Sequence, residues 1–419
     1  MKVKKYITDV YSKKYFEESE VDSYLDDKEE NNIINIHPEI VFQDWLGLGG
    51  ALTDSTVYNL NSLNDEKKEM LLNDYFDELN YNFLRLPIGS TDFSLESSDD
   101  YTKYFDENVK VVKEIKNKRN IEIIATPWSP PSKYKTNSSL YGGKLKKECY
   151  NDYANYLVNF IKDYEFANIK IDYLSVQNEP FASQSWESCE YSLEELREFI
   201  YKVLIPKLND TKIILWDHNK DNLYNIFNML YENNNAIRGL GFHWYSGGFY
   251  EELDLIREKY PFLLLIETEM CCGHSKYNRK KWIIDAEYYL NEIINGLNNG
   301  LNAFLDWNML LNFKGGPNHK NNYCKSPIIL DRRGNDYIKT PIYFYLKHIG
   351  IADKGRRIAT SNFDRNGGIQ TVAIKNDKIY IIVLNKSNEQ KKINIRFQNS
   401  LVKDIINKHS VITYVLEEV

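Results

Sequence analysis

Ile171-Asp-Tyr-Leu-Ser-Val-Gln-Asn-Glu-Pro180 begins with alternating apolar positions and stops abruptly in Gln177-Asn178-Glu179-Pro180. A buried strand that delivers an amide and a carboxylate at its C-terminal tip resembles a strand of a barrel enzyme, whose site is built at those tips. The same residues also suit an ordinary turn. The rest of the chain decides between the two.

From about residue 42 a rhythm repeats. An apolar run ends in polar or aromatic residues, and a helix-periodic segment follows it. The runs are Trp45–Leu52, Asn82–Leu86 with Arg85, Ile121–Thr126 ending in Pro127-Trp128, and the stretch quoted above. They continue with Lys212–Leu215 ending in Trp216-Asp217-His218-Asn219, and Leu240–Phe242 ending in His243-Trp244-Tyr245. The last are Phe262–Ile266 ending in Glu267-Thr268-Glu269, and Ala303–Leu305 ending in Asp306-Trp307-Asn308. Between them lie stripes such as Trp282, Ile283, Ala286, Tyr289, Leu290, Ile293, Ile294 and Leu297, spaced to cover one face of a sheet. Eight strand–helix units predict a (β/α)8 TIM barrel over residues 41–350. Gly47-Leu-Gly-Gly50 lacks the spacing of a dinucleotide or phosphate loop and reads as close backbone packing.

After residue 350 the period changes from 3.6 to 2. Gly368–Ile374, Lys378–Leu384, Lys391–Phe397 and Ser410–Leu416 alternate as strands, predicting a small all-β sandwich over 351–419. Residues 1–40 contain short alternating pieces around a charged stretch, Glu17–Asn32, taken as a loop. They are expected to join the β domain.

Composition excludes several classes. A net charge of −7 leaves no basic stripe for nucleic acid. No apolar run is long enough to span a membrane, and no apolar core follows the basic start, so a cytoplasmic location is expected. The five cysteines are scattered without zinc-ligand spacing and read as free thiols.

Carboxylates on opposed strands of a barrel mouth suit glycoside hydrolysis, in which one acid protonates the leaving oxygen and the other attacks or activates water. The candidates are Glu179 on strand four and Glu269 or Glu267 on strand seven. Glu267 shares the strand parity of Glu269, so parity alone leaves Glu267 open as a second inward-pointing carboxylate. Trp216–Asn219 either lines the cleft or caps the next helix.

The motifs as a set resemble glycoside hydrolase family 30, the family of acid β-glucosidase, in clan A. They are Gly49-Gly-Ala-Leu-Thr-Asp54, Tyr81-Asn-Phe-Leu-Arg-Leu-Pro87 with Asp92-Phe-Ser94, and Pro127-Trp-Ser-Pro-Pro131. With them stand Asn178-Glu179-Pro180, His243-Trp-Tyr245, Glu269, Asp306-Trp-Asn308, Gly315-Gly-Pro-Asn318 and Ser326-Pro-Ile-Ile329. The resemblance implies Glu179 as acid/base and Glu269 as nucleophile of a retaining β-glycosidase acting on terminal β-glucosides. It places Asp92, Trp128, Asn178, Trp307 and Asn322 around the sugar, with Arg85, His243 and Tyr245 orienting the nucleophile. Neither metal nor cofactor is implied, and the partner is a carbohydrate. A charged neighbour is expected to raise the pKa of Glu179, and Trp128 and Trp307 are expected to offer flat faces to a pyranose. β-1,6-Glucanase, β-xylosidase or β-fucosidase activity, or sugar binding without catalysis, stays open. His319 stands where the lysosomal type carries an aromatic residue.

Overall fold

The computed structural model describes residues 2–273 and 279–417. Gly47–Ala51, Tyr81–Ile88, Glu122–Pro127, Tyr173–Ser175, Lys212–Asn219, Ile237–His243, Leu264–Met270 and Ala303–Asp306 form a closed barrel of eight parallel strands. They are numbered one to eight below. Inside the barrel, Phe83, Ile124, Tyr173, Ile214, Leu264, Ile266, Ala303 and Leu305 form a separate apolar cluster. The alternate residues face the helices, as period-2 strands require. Strand one needs its glycines. A Cβ on Gly49 would stand 2.6 Å from the Phe83 carbonyl oxygen of strand two. The long stripe forms the helix Arg279–Asn298, and all eight of its predicted apolar residues are buried.

The β domain contains more strands than the alternation predicts. Lys2–Asp9, Lys14–Leu25 and Ile33–Trp45 join Gly355–Phe363, Ile369–Lys375, Lys378–Asn385, Lys391–Phe397, Ser400–Ile406 and Ser410–Glu417. Rather than two separate sheets, these strands make one ladder that closes where Lys4–Thr8 pairs with Val411–Val415. The expected loop at Glu17–Asn32 is therefore largely strand, with Glu17–Asp22 paired to Lys2–Ile7. Its polar alternation escaped notice because most of it is surface-exposed. Ile33–Trp45 also carries the β domain past residue 40, pairing as far as Trp45 with Gly355.

His348, on the helix Pro341–Gly350, joins the two domains. Its Nδ1 lies 2.8 Å from Thr413 Oγ1 and its Nε2 2.8 Å from Thr8 Oγ1, both on β-domain strands. Burial, with the nearby Lys347 charge, pushes the imidazole down to about 3, so it stays neutral. Because the folded pKa lies below that of the unfolded chain, the stabilisation is complete above pH 6.5 and is lost as pH falls towards 3. Full loss corresponds to about 5 kcal/mol. Wild type is expected to lose stability faster than His348→Gln between pH 6.5 and 4, read as the difference in denaturant midpoints.

Candidate active site

The site is organised around Arg85, which strand two directs into the barrel with the same parity as Phe83. It is fully buried. One terminal nitrogen donates to Glu269 Oε2 (2.6 Å), and the other donates to Asn178 Oδ1 and Asp217 Oδ2 (both 2.9 Å). Its Nε donates to Thr126 Oγ1 at 3.3 Å. A planar guanidinium can serve these partners at once, whereas a lysine ammonium cannot. Because Arg85 holds the Asn178 oxygen, the amide's donor side is left for the cleft.

Asp217, which the sequence offered only as part of the strand-five tip Trp216–Asn219 and without a role, is a central member of this network. It accepts from the hydroxyls of Ser175 and Thr268, and its Oδ1 lies 3.1 Å from His243 Nε2. Burial opposes its charge, but Arg85, His243 and Ser175 outweigh burial and hold the carboxyl far below the usual range. Trp216 and Asp217 have φ of 76° and 61°, and strand five slips its register against strand six between Trp216 and His218. This left-handed pair, unfavourable for non-glycine residues, turns Asp217 inward. Two successive left-handed residues without glycine leave no sequence signal.

Strand seven corrects the parity argument. Leu264 and Ile266 point into the barrel, so Glu267 points outward. It is buried against the Lys220–Glu292 pair, neither of its oxygens has a hydrogen-bond partner among the described residues, and burial pushes its carboxyl far above the usual range. Glu267 pairs with Phe242 and Glu269 with the next residue, His243. The extra residue on strand seven is a bulge. The bulge swings Glu269 inward, where it meets Arg85 and accepts from the Tyr245 hydroxyl at 3.0 Å. Glu267 lines no part of the cleft.

Glu179 is placed by backbone bonds that outlast its short strand. The N–H of Asn178 donates to Pro127, and that of Glu179 to Asp217, both at 2.9 Å. Its φ of 47° then turns the chain out of the extended course. His243, expected to orient the nucleophile, instead bridges Asp217 and Glu179, with Nδ1 3.2 Å from Glu179 Oε1. Burial works against a charged imidazole here, but the carboxylates of Glu269, Asp217 and Glu179 hold it up to about 10. Burial likewise pushes the Glu179 carboxyl up, yet the hydrogen bond and charge of His243 bring it below the usual range. The expected upward shift of Glu179 is thus reversed, because the His243 bond and charge outweigh burial and the Asp217 charge.

Asp92, Trp128, Asn178, Trp307 and Asn322 all line one cleft of about 490 Å³ together with Glu179, Glu269 and Tyr245. Asn322 Nδ2 donates to Asp92 Oδ2 at 2.9 Å. Burial first, then the Glu269 charge, pushes the Asp92 carboxyl far above the usual range, which makes it a donor as well as an acceptor. Trp128 and Trp307 stack on each other at 4.8 Å, and the Arg85 guanidinium lies 4.6 Å from the Trp128 ring. With 1% and 2% exposure they offer the cleft edges and not the open faces expected. Gln184, Trp186, His218, Asn219 and Trp244 complete the lining on the Glu179 side, so the strand-five tip does reach the cleft. His319 does not line it. Its Nδ1 lies 2.9 Å from the Ser94 carbonyl and its Nε2 3.3 Å from buried Glu187.

Comparison with known proteins gives this arrangement a lineage. The profile described as Glycosyl hydrolase family 30 TIM-barrel domain matches residues 45–351. The chain belongs to glycoside hydrolase family 30. As a family 30 member it is 29% identical to putative glucosylceramidase 3 of Caenorhabditis elegans, over 92% of this chain and 80% of that one. Among solved structures, SrfJ from Salmonella typhimurium superposes with a TM-score of 0.94 at 27% identity, covering all of both chains. The endo-β1,6-glucanase BT3312 gives 0.86 at 26% identity, covering 100% of this chain and 99% of that one. The chain is accordingly a glycoside hydrolase whose substrate is a carbohydrate. Among the described residues, no helix is long and apolar enough to cross a membrane.

Proposed function

We propose that this hydrolase cleaves β-glucosides of polar leaving groups by double displacement, with Glu269 as nucleophile and Glu179 as acid/base. The observation that carries the reading is the unequal surroundings of the two carboxylates. Glu269 accepts a charge-assisted bond from Arg85 and a second bond from the Tyr245 hydroxyl, surroundings that suit the group that attacks the anomeric carbon. Glu179 shares its surroundings with one mobile proton, carried by His243 in the free protein. As the glycosidic bond breaks, the leaving oxygen becomes basic and takes a proton from Glu179, which His243 can resupply. In the second step Glu179 takes a proton from water as water attacks the glycosyl ester.

The glucosyl assignment draws on relatives whose names share that sugar, glucosylceramidase and β1,6-glucanase. Polarity on the leaving-group side supports a hydroxyl-rich aglycone over an acyl chain. Gln184, His218 and Asn219 line that side, and their side chains suit hydroxyl partners better than an acyl chain. The same feature favours a second reading, cleavage within β-1,6-linked glucan.

A panel of nitrophenyl β-glycosides with pustulan, a β-1,6-glucan, tests both. Turnover of the β-glucoside is expected to exceed that of the β-xyloside and β-fucoside. A preference for either of these overturns the glucosyl assignment, and pustulan cleavage exceeding glucoside turnover favours the second reading. Absence of covalent labelling by an activated fluoro-sugar would mean a binding protein. A further expectation concerns pH. The Glu179–His243 pair keeps its proton until about pH 10 in the free protein. In His243→Gln only Glu179 remains to hold it. The alkaline limb of kcat/KM is therefore expected to move down by roughly one to several pH units. An unmoved limb would remove His243 from the proton path.

A further inference from the structure

Two of the cysteines that look scattered in sequence meet in the wall of the cleft. Cys271 Sγ and Cys324 Sγ are 2.8 Å apart, and both residues line the same cavity as the catalytic carboxylates. Cys271 follows Glu269 by two residues, and its sulfur lies 3.5 Å from the Tyr245 hydroxyl that donates to Glu269. Cys324 follows Asn322 by two residues, on the loop that holds Asp92. The backbones behind the thiols are already joined. Lys325 N–H donates to the Cys272 carbonyl at 2.9 Å, and Gly273 bridges Cys324. Glycoside hydrolysis uses neither thiol. A disulfide requires sulfurs about 2.05 Å apart, so closure asks for less than about 1 Å of travel.

We propose that Cys271 and Cys324 form a thiol modification site, which a hydroperoxide or a low-molecular-weight disulfide closes into a disulfide that slows hydrolysis. With hydrogen peroxide, the Cys271 sulfur attacks one peroxide oxygen, the O–O bond breaks, and water leaves a sulfenic acid on Cys271. The Cys324 sulfur then attacks the Cys271 sulfur, and the hydroxyl departs as a second water carrying the Cys324 proton. Two thiols lose two electrons and peroxide becomes two waters. With a small disulfide, Cys271 forms the mixed disulfide and releases one thiol, and Cys324 displaces the second.

The order follows from the surroundings. Hydrogen bonding to Cys271 and burial, with the carboxylates of Asp92 and Glu269 nearby, push the Cys324 thiol well above its usual range. Cys324 is therefore the poorer nucleophile, which leaves Cys271, whose sulfur lies beside the Tyr245 hydroxyl, to attack first. The residual exposures, 8% for Cys271 and 5% for Cys324, belong to residues that line the cleft, which is the route of entry for the oxidant. Closure draws Cys271 away from Tyr245 and pins the nucleophile strand to the Asn322 loop. Both sides of the sugar position are thereby held off their reduced geometry.

The full-length protein treated with hydrogen peroxide, or separately with oxidised glutathione, is expected to lose 2 Da (two hydrogens) and yield a peptide cross-linked between Cys271 and Cys324. kcat/KM is expected to fall on the order of 10- to 100-fold, the scale of a sub-ångström to 1 Å misplacement, and to recover with dithiothreitol. Cys324→Ser, judged against its own reduced baseline, is expected to form no such cross-link and to escape its inhibition. If that variant fails to fold, mass mapping and activity of wild type carry the test alone. Failure of the cross-link to form, or a cross-linked protein as active as the reduced one, overturns the proposal. The mass readout is independent of the glycoside reading, whereas absence of turnover in untreated protein would overturn that reading instead.

Discussion

Glu269→Gln is expected to lose activity on an aryl β-glucoside by several orders of magnitude, comparable with removal of a nucleophile in other covalent mechanisms. The amide keeps the shape, and it can still accept from Tyr245, but it cannot form the glycosyl ester. It also leaves Arg85 with only Asp217 as a charged partner. Substitution by alanine adds a diagnostic. With azide present, Glu269→Ala should yield the α-glycosyl azide, because azide attacks directly from the vacated face. Glu179→Ala should yield the β-glycosyl azide, because azide then intercepts the glycosyl-enzyme. The reverse pattern would exchange the two roles. Full activity in Glu269→Gln with loss in Glu267→Gln would overturn the placement of the nucleophile, although Glu267 faces away from the cleft.

Arg85→Met is expected to cost about 3–5 kcal/mol of stability, because it leaves Asp217 as a buried charge without its strongest partner. Methionine preserves packing against Trp128, so the loss reports charge more than volume. In wild type the Asp217 carboxyl lies far below its unfolded value. Its stabilisation is therefore present above the ordinary carboxylate range and fades as pH falls through and below it. The difference in denaturant midpoint between wild type and variant should be full at neutral pH and shrink in acid. Activity should fall as well, since the variant loses the bond by which Arg85 fixes the Glu269 carboxylate beside Tyr245. Arg85→Lys is expected to recover only part of both losses, because one ammonium cannot reach Glu269, Asn178 and Asp217 together. A variant as stable as wild type at neutral pH would show that Asp217 relaxes by taking a proton at little cost.

The alternation of apolar runs and helical stripes determined the barrel by itself, since a strand buried on both faces and a helix buried on one write different periods into the chain. The strand-four and strand-seven glutamates stood out as carboxylates at the ends of apolar runs, whereas Arg85 and the residues expected around the sugar came from the motifs shared with family 30. Exposed strands such as Lys14–Leu25 were not, since their pairing rests on backbone bonds and their side chains face water. The resemblance pointed to Glu269 on strand seven, and the tertiary structure gave the physical reason that it, and not Glu267, faces the cleft. A period-2 count treats Glu267 and Glu269 alike, and only the bulge against strand six separates them. It also decided that Asp217 joins the site, through two left-handed residues that carry no glycine to announce them. And it brought Cys271 to Cys324, fifty-three residues apart, because contact across a barrel mouth depends on which loops fold over it and not on spacing along the chain.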